Sequence, residues 1–408
     1  MSQDEEPPAP ALLERLAEGE LRLHELEEVV DADRAAEVRR RFIEEETGAE
    51  LSSVANFGFE AAAATSNIEN MIGATQVPLG VVGPIRLAGG ASDGRCWLPL
   101  ATTEGALIAS VNRGLSAIRR AGGATGRVLA NSMTRGPVFR VPDVGIAAEV
   151  VTWVQAHEDQ LRQAAEATTS HGELEQITPY VVGNNVFLRF GYDTKDAMGM
   201  NMATIATQAA CELVEAETDA ELVALSGNLC TDKKPAAINA VEGRGRTVCA
   251  DIVIPREIVE ETFDTTPEAM VEVNTRKNLI GSAKAGALGF NAQAANIVAA
   301  AFLALGQDIA QVVEGSNAIT TMEIQDGALY ASLTFSSLEL GTVGGGTNLP
   351  SQAEALGVVG VKGGGDPGGS NADALAEIVA GAALGGELSL VGALSASHLA
   401  SAHEQLGR

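Results

Sequence analysis

Residues Leu174–Tyr192 read LEQITPYVVGNNVFLRFGY. Two runs rich in β-branched and aromatic residues flank Gly-Asn-Asn, the chemistry of a tight hairpin. On the N-terminal side, PVFRV (Pro137–Val141) reads as a short strand and AAEVVTWVQAHEDQLRQAAEATT (Ala147–Thr169) as a helix. On the C-terminal side, AMGMNMATIATQAACELVEAE (Ala197–Glu217) reads as a second helix and ELVALS (Glu221–Ser226) as a last strand. The order β-α-β-β-α-β is that of a ferredoxin-like unit.

This unit is inserted in a longer α+β chain. Residues up to about Leu51 carry two charged amphipathic helices, ALLERLAEGELRLHELEEVV and DRAAEVRRRFIEEETG, which suit a packing or oligomerisation arm. Beyond the insert, helices rich in Ala and Gly alternate with strands such as TVCADIVIP and LYASLTFSS, and VKGGGDPGGSNAD (Val361–Asp373) reads as a flexible surface loop. The run AGALGFNAQAANIVAAAFLALG (Ala285–Gly306) is long enough for a bilayer. Asn291, Gln293 and Asn296 recur along one helical face of it, which favours a buried helix with a polar, site-facing edge.

The chain has 408 residues, 46% of them hydrophobic but only 4% aromatic, and 45 glycines. Its core should therefore be close-packed from small side chains. A formal net charge of −27 excludes a nucleic-acid partner and weighs against an anionic membrane surface. Acid excess with few lysines suggests a protein at home in a high-salt cytoplasm. Cys96, Cys211, Cys230 and Cys249 have neither CxxC nor zinc spacing, so reduced thiols and no structural metal are expected. The acidic, proline-rich start, MSQDEEPPAP, is wrong for a signal peptide.

Only six lysines occur, yet Lys233 and Lys234 stand together in TDKKPAAIN, before a proline that fixes the backbone. A lysine pair is ordinarily a solvated face. In a partly enclosed loop, an ammonium can instead meet a developing anion. Candidate partners are Glu104 in LATTEGALIASVNRG, where Thr-Thr-Glu is equally a helix cap, and Asp308 inside a strongly apolar helical stretch. His398 and His403 lie in the tail. DAMGMNM (Asp196–Met202) opens the second helix of the insert, and GTVGGGTN (Gly341–Asn348) is a turn with free amides. Both could approach phosphate, although neither is a Rossmann fingerprint.

In order along the chain, ENMIGATQVPLGVVGP, TTEGALIASVNRG, MTRGPV, DAMGMNM, SGNLCTDKKPAAINAVEGRG, VNTRKNLIGSAKAG, NAQAANIVAA, GQDIAQ and GTVGGGTNLP resemble the 3-hydroxy-3-methylglutaryl-coenzyme A (HMG-CoA) reductases. DAMGMNM points to the biosynthetic class I. The resemblance implies a helical arm (1–68), a large α/β HMG-CoA-binding domain (69–135 and 237–408), an inserted NADP(H)-binding domain (136–225) and a loop with the catalytic lysine (226–236). It implies reduction of HMG-CoA to mevalonate with NADPH in the cytoplasm, without a metal or membrane anchor, by a homodimer or homotetramer whose subunits share active sites. ENMIG corresponds to a dimer-interface element.

By motif, Lys233 would stabilise the carbonyl oxyanion, Glu104 would protonate it, Asp308 would tie the two together, and His403 would protonate the departing thiolate. An ionised Asp308 beside Glu104 should raise its pKa. Arg135, Ser226, Asp232, Lys234, Lys277 and Asn296 match the hydroxymethylglutaryl site, and Ser110, Asn112 and Arg113 the coenzyme A phosphate end. Ser170, His171, Asp196, Met198, Gly199, Met200, Asn201, Met202, Val343, Gly344, Gly345, Gly346, Thr347 and Arg408 match cofactor-binding positions. Ser170-His171 replaces a Ser-Arg pair of animal members, Asp264 replaces a phosphate-facing lysine and Gln293 a histidine. The phosphorylated serine of animal members would follow Arg408, so that switch is expected to be absent. The same fold running oxidatively with NAD, or a silent CoA-binding protein, are the alternative readings.

Overall fold

The computed structural model describes residues 7–88 and 90–406, with backbone alone from residue 398 onward. Among these, the strands are β1 (Leu79–Ala88), β2 (Gly94–Ala101), β3 (Ala124–Arg135), β4 (Val138–Arg140), β5 (Glu173–Val182), β6 (Asn185–Asp193), β7 (Glu221–Ala224), β8 (Gly245–Ile254), β9 (Ala318–Gln325) and β10 (Ala328–Leu338). They join in the order β7-β4-β6-β3-β8-β10-β9, with the β1–β2 hairpin attached beside β3 and β5 beside β6.

The hairpin read from LEQITPYVVGNNVFLRFGY is β5–β6. Val182 pairs with Asn185 across a two-residue turn, and Gly183 takes the positive φ of 61° that the turn needs. The segment order β7-β4-β6-β5, with every pair antiparallel, is the ferredoxin-like arrangement. Its first helix starts earlier than the periodicity suggests, at Val144, because Asp143 caps the amides of Gly145 and Ile146. It breaks at His157 into Val144–Ala156 and Glu158–Glu166. Phe139, Val150, Leu161, Phe190, Tyr192 and Val214 fill a core of its own.

β3 links the two parts of the sheet. Thr125–Ser132 pairs antiparallel with β8, and the next residues, Met133–Arg135, pair with β6. On the β8 side the larger core lies between the sheet and the helices Leu107–Arg120, Ala294–Ala304 and Ser370–Leu406. The expected small-residue packing is present: a Cβ on Gly114 would lie 1.8 Å from the carbonyl oxygen of Gly385, so the two helix backbones touch.

Three local expectations change. Ala285–Gly306 is not one helix, since Ala285 ends the short helix Ser282–Ala285, the helix resumes at Ala294–Ala304, and Asn291 and Gln293 sit in the irregular chain between. The long apolar helix is Ser370–Ser397 instead, with mean hydropathy 1.6 and 83% of its most apolar window buried inside the fold. VKGGGDPGGSNAD is not a loose loop, because the amides of Gly365, Gly369 and Ala372 all bond to the carboxylate of Asp196. In the arm, the first amphipathic stretch divides into the helix Ala9–Ala17 and a 3₁₀ turn, Leu23–Glu28. The second forms the helix Ala32–Thr47, and Leu12, Leu26 and Val38 pack between them.

Candidate active site

The Lys233 loop is a strained piece of backbone. Asn228, Thr231 and Lys233 all have positive φ (63°, 49° and 59°), a conformation costing about 1–3 kcal/mol per non-glycine residue unless the surroundings impose it. They do so from several sides. The amide of Lys233 donates to Glu314, Asp232 accepts from Arg244 (3.1 Å) and Gln311 (3.0 Å), and Thr134 donates to the carbonyl of Cys230. The result aims the Lys233 ammonium at Asp308, 2.9 Å from its Oδ2. That hydrogen bond raises the lysine pKa above its ordinary value, against a smaller opposite effect of burial. Lys234 turns back onto the carbonyl of Asp232. The Lys233 side chain remains 44% exposed, more open than an enclosed loop would leave it.

Asp308 is not within a helix. It caps the 3₁₀ turn Ile309–Gln311, accepting from the amide of Ala310, after the Ala294–Ala304 helix has ended. This turn also brings Gln311 to Asp232.

Glu104 lies elsewhere. Its carboxylate accepts from Asn296 Nδ2 (3.3 Å), and among the described residues no hydrogen bond or ion pair joins it to Lys233 or Asp308. The helix-cap alternative also fails, because Ala106 precedes the helix Leu107–Arg120 with no side-chain cap and Thr102 bonds instead to the amide of Glu104. Glu104, Asn291, Gln293, Asn296 and Asn317 line a cleft of about 550 Å³. Sequence reading missed the group that shapes its wall. The buried carboxylate of Glu387, on the C-terminal helix, accepts from the amides of Ala292 and Gln293 and from Thr320 Oγ1, each at 2.7 Å. Burial raises its pKa despite those donors. Lys277 lies on a π-helical stretch, Asn274–Gly281, and reaches the same network through Asn278, Asn274 and the carbonyl of Thr320.

Ser110 and Arg113 bond to Ser389 of the C-terminal helix (2.9 and 3.0 Å between side chains), a residue the motifs did not single out. Arg113 also stands over Phe263, next to Asp264, and Asn112 accepts from the amide of Gly83. Arg135 ends β3 with its Nε buried and unpartnered, and Ser226 bonds to Cys230.

The two glycine-bearing segments adjoin. Ala197 and Val343 form a parallel bridge, and a Cβ on Gly341 would lie 2.4 Å from the amide nitrogen of Met198. Asp196 keeps its pKa low because the three amides outweigh its burial, and that carboxylate is occupied by the chain's own backbone. Met198, Met200 and Met202 pack against the small core, and the exposed Ser170-His171 turn approaches Met202 through Gly172. Gly341 donates to Gln307, so this cradle abuts the residue before Asp308. The described part of His403 is helical backbone, and Arg408 lies outside the described residues.

Lys233, paired with Asp308, therefore stands near a small-residue cradle formed by the Ala197–Val343 bridge. Comparison with known proteins gives the family. The hydroxymethylglutaryl-coenzyme A reductase family model matches residues 35–408. The chain is 66% identical over 400 residues to the 3-hydroxy-3-methylglutaryl-coenzyme A reductase of Haloferax volcanii, covering 98% of this chain and 99% of the relative. It is also 66% identical to that of Halobacterium salinarum over 398 residues, covering 97% and 98%. A solved structure of the class II enzyme from Streptococcus pneumoniae bound to NADPH has a TM-score of 0.65 at 17% identity, covering 97% of this chain and all of that one, which establishes a shared fold. The chain belongs to the hydroxymethylglutaryl-coenzyme A reductase family.

Proposed function

We propose that this chain reduces HMG-CoA to mevalonate and free coenzyme A, as a cytoplasmic, class I reductase with NADPH as hydride donor. The single observation that carries the reading is the Lys233–Asp308 pair, its lysine on a strained, over-determined loop and its acid next to Gln307, which bonds to the Ala197–Val343 cradle at Gly341. The DAMGMNM motif supports class I, in keeping with the low identity to the class II structure. NADPH supplies two hydrides in succession when bound along Asp196–Met202 and Val343–Thr347, where glycines admit close approach and the helix beginning at Met200 offers free amides.

The chain's own residues provide the electrostatics. Lys233 faces the carbonyl oxygen that gains charge in each reduction, and Asp308 orients the ammonium and keeps it charged. Glu104 delivers the proton, and His403 protonates the leaving thiolate. Arg135, Ser226, Asp232 and Lys234 hold the hydroxymethylglutaryl group from one side, Lys277 and Asn296 from the other.

Glu104, Lys277 and Asn296 share the cleft network, whereas Lys233 and Asp308 form a separate cluster. The proposed site therefore joins the first cluster of one subunit to the second cluster of another, which would also cover the open face of Lys233.

The test is NADPH oxidation with HMG-CoA, compared with NADH at matched concentrations. Preference for NADH would overturn the class assignment, and CoA binding without turnover would favour the silent binder. His403→Gln should slow thioester reduction and spare reduction of free mevaldehyde, where no thiolate leaves. Equal loss on both substrates would remove the assigned role.

A further inference from the structure

Behind the Lys233 loop lies a set of charges that the proposed chemistry does not use. Arg244, Glu314 and Glu339 are side chains with no exposure at all. Arg244 Nη1 meets Gln311 Oε1 at 2.8 Å, Glu339 Oε1 at 3.1 Å and Glu314 Oε1 at 3.4 Å, while Nη2 meets Asp232 at 3.1 Å and Met200 Sδ at 2.9 Å. Oε2 of both glutamates is buried and unpartnered. The enclosure is tight: a Cβ on Gly245, which follows Arg244, would lie 3.0 Å from Cα of Glu339.

One guanidinium against two ionised carboxylates leaves this sealed set with a net charge of −1, and one added proton brings it to zero. Two carboxylates sharing one counter-charge in a desolvated place do not both ionise. Glu314 accepts from Lys233 N–H as well as Arg244, so it is the better-stabilised anion. Glu339 accepts from Arg244 and from its own backbone amide and, among the described residues, from no other residue. We propose that Glu339 holds a proton at neutral pH, and that Glu339, Arg244 and Glu314 are positioning residues that seat Asp232 and Lys233 for the reduction. Glu314 seats the Lys233 amide and Arg244 seats Asp232, so adjacent residues of the loop rest on the buried set.

Loss of the Glu339 proton would place a third anion beside Arg244, with Glu314 and Asp232. That anion competes with Glu314 and Asp232 for the same guanidinium, and the loop loosens. Burial, opposed by Arg244 and reinforced by Glu314, pushes the Glu339 carboxyl up to about 8. The other charges around the set are Asp232 on the same guanidinium, Arg189 bonded to the carbonyl of Gly243, Lys233 paired with Asp308 on the solvent side, and Arg246 paired with Asp373 beyond β8.

This inference rests on the reductase reading for its activity arm and not for its structural arm. In the activity arm, the parent should show an alkaline fall in kcat centred near pH 8. In Glu339→Gln, which keeps the shape of the protonated acid, the ratio of kcat at pH 9 to that at pH 7 should rise at least threefold over the parent. Glu314→Gln should lower kcat about tenfold or more with the KM for NADPH unchanged. A parent profile flat through pH 8, or an unshifted limb in Glu339→Gln, would overturn the proposal. In the structural arm, hydrogen exchange of the Lys233 amide in the parent should be protected at pH 7 and lose at least tenfold protection by pH 9, after correction for intrinsic rates. Constant protection would overturn the proposal even if a variant failed to fold. A parent that oxidises no NADPH at any pH would defeat the reductase reading alone, and the exchange arm would then decide this one.

Discussion

Lys233 combines two features that rarely coincide: a left-handed backbone without glycine, and an ammonium held by a carboxylate. Lys233→Ala should lower kcat by about 10²–10³-fold, the usual loss for an oxyanion-stabilising donor. NADPH affinity, read by fluorescence titration, should stay within a few-fold. Near-normal turnover would remove the lysine from its role. Asp308 raises the Lys233 pKa, so the stabilisation from this pair is complete below the unfolded lysine value and fades as pH climbs through the folded one. Six lysines allow each ammonium to be followed by NMR. Lys233 should titrate above its exposed counterparts, and Asp308→Asn should bring it down. An unmoved titration would show that the pair does not form in solution. Lys233 was legible because a paired lysine stands out in an acidic chain. Arg244, Glu314 and Glu339 were not, since a buried ion set spread over such separations looks, residue by residue, like ordinary surface charge.

At the scale of elements, the contact between Leu107–Arg120 and Ser370–Leu406 would join packing to the proposed coenzyme A contacts. Gly114 lets the backbones meet, and one turn away Ser110 and Arg113 reach Ser389. Gly114→Ala has nowhere to place its methyl except against a main-chain carbonyl, so about 1–3 kcal/mol of stability should be lost. The Tm should fall by several degrees and the KM for HMG-CoA should rise. A variant with parental Tm would show that the helices can separate freely. Strand alternation and the Gly-Asn-Asn turn made the β5–β6 hairpin readable. The turn before Ala294–Ala304 was hidden by composition, because an apolar run looks alike in a helix and in the irregular chain beside one. Its shape comes from Glu387, about a hundred residues away, taking the amides of Ala292 and Gln293.

For the molecule as a whole, a net charge of −27 means that like charges repel across most of the surface. Raising the ionic strength from 0.1 to 1 M shortens the screening length from about 10 Å to about 3 Å. The Tm should therefore rise steadily with KCl, and a Tm independent of salt would defeat the high-salt reading of the composition. The ferredoxin-like insertion was visible in the order of its segments. How it is attached was not, because nothing in the sequence of β3 announces that its partner changes between Ser132 and Met133.

That change of partner has a mechanical corollary. Ser132 faces Gly245 on β8 and Met133 faces Tyr192 on β6, while at the strand's exit the carbonyl of Gly136 receives the amide of Gly227, at the root of the lysine loop. The halves are thus braced along β3 as well as at the Ala197–Val343 bridge and the Asp196 amide contacts. A twist of the ferredoxin-like insert would therefore be carried along β3 to the root of the Lys233 loop.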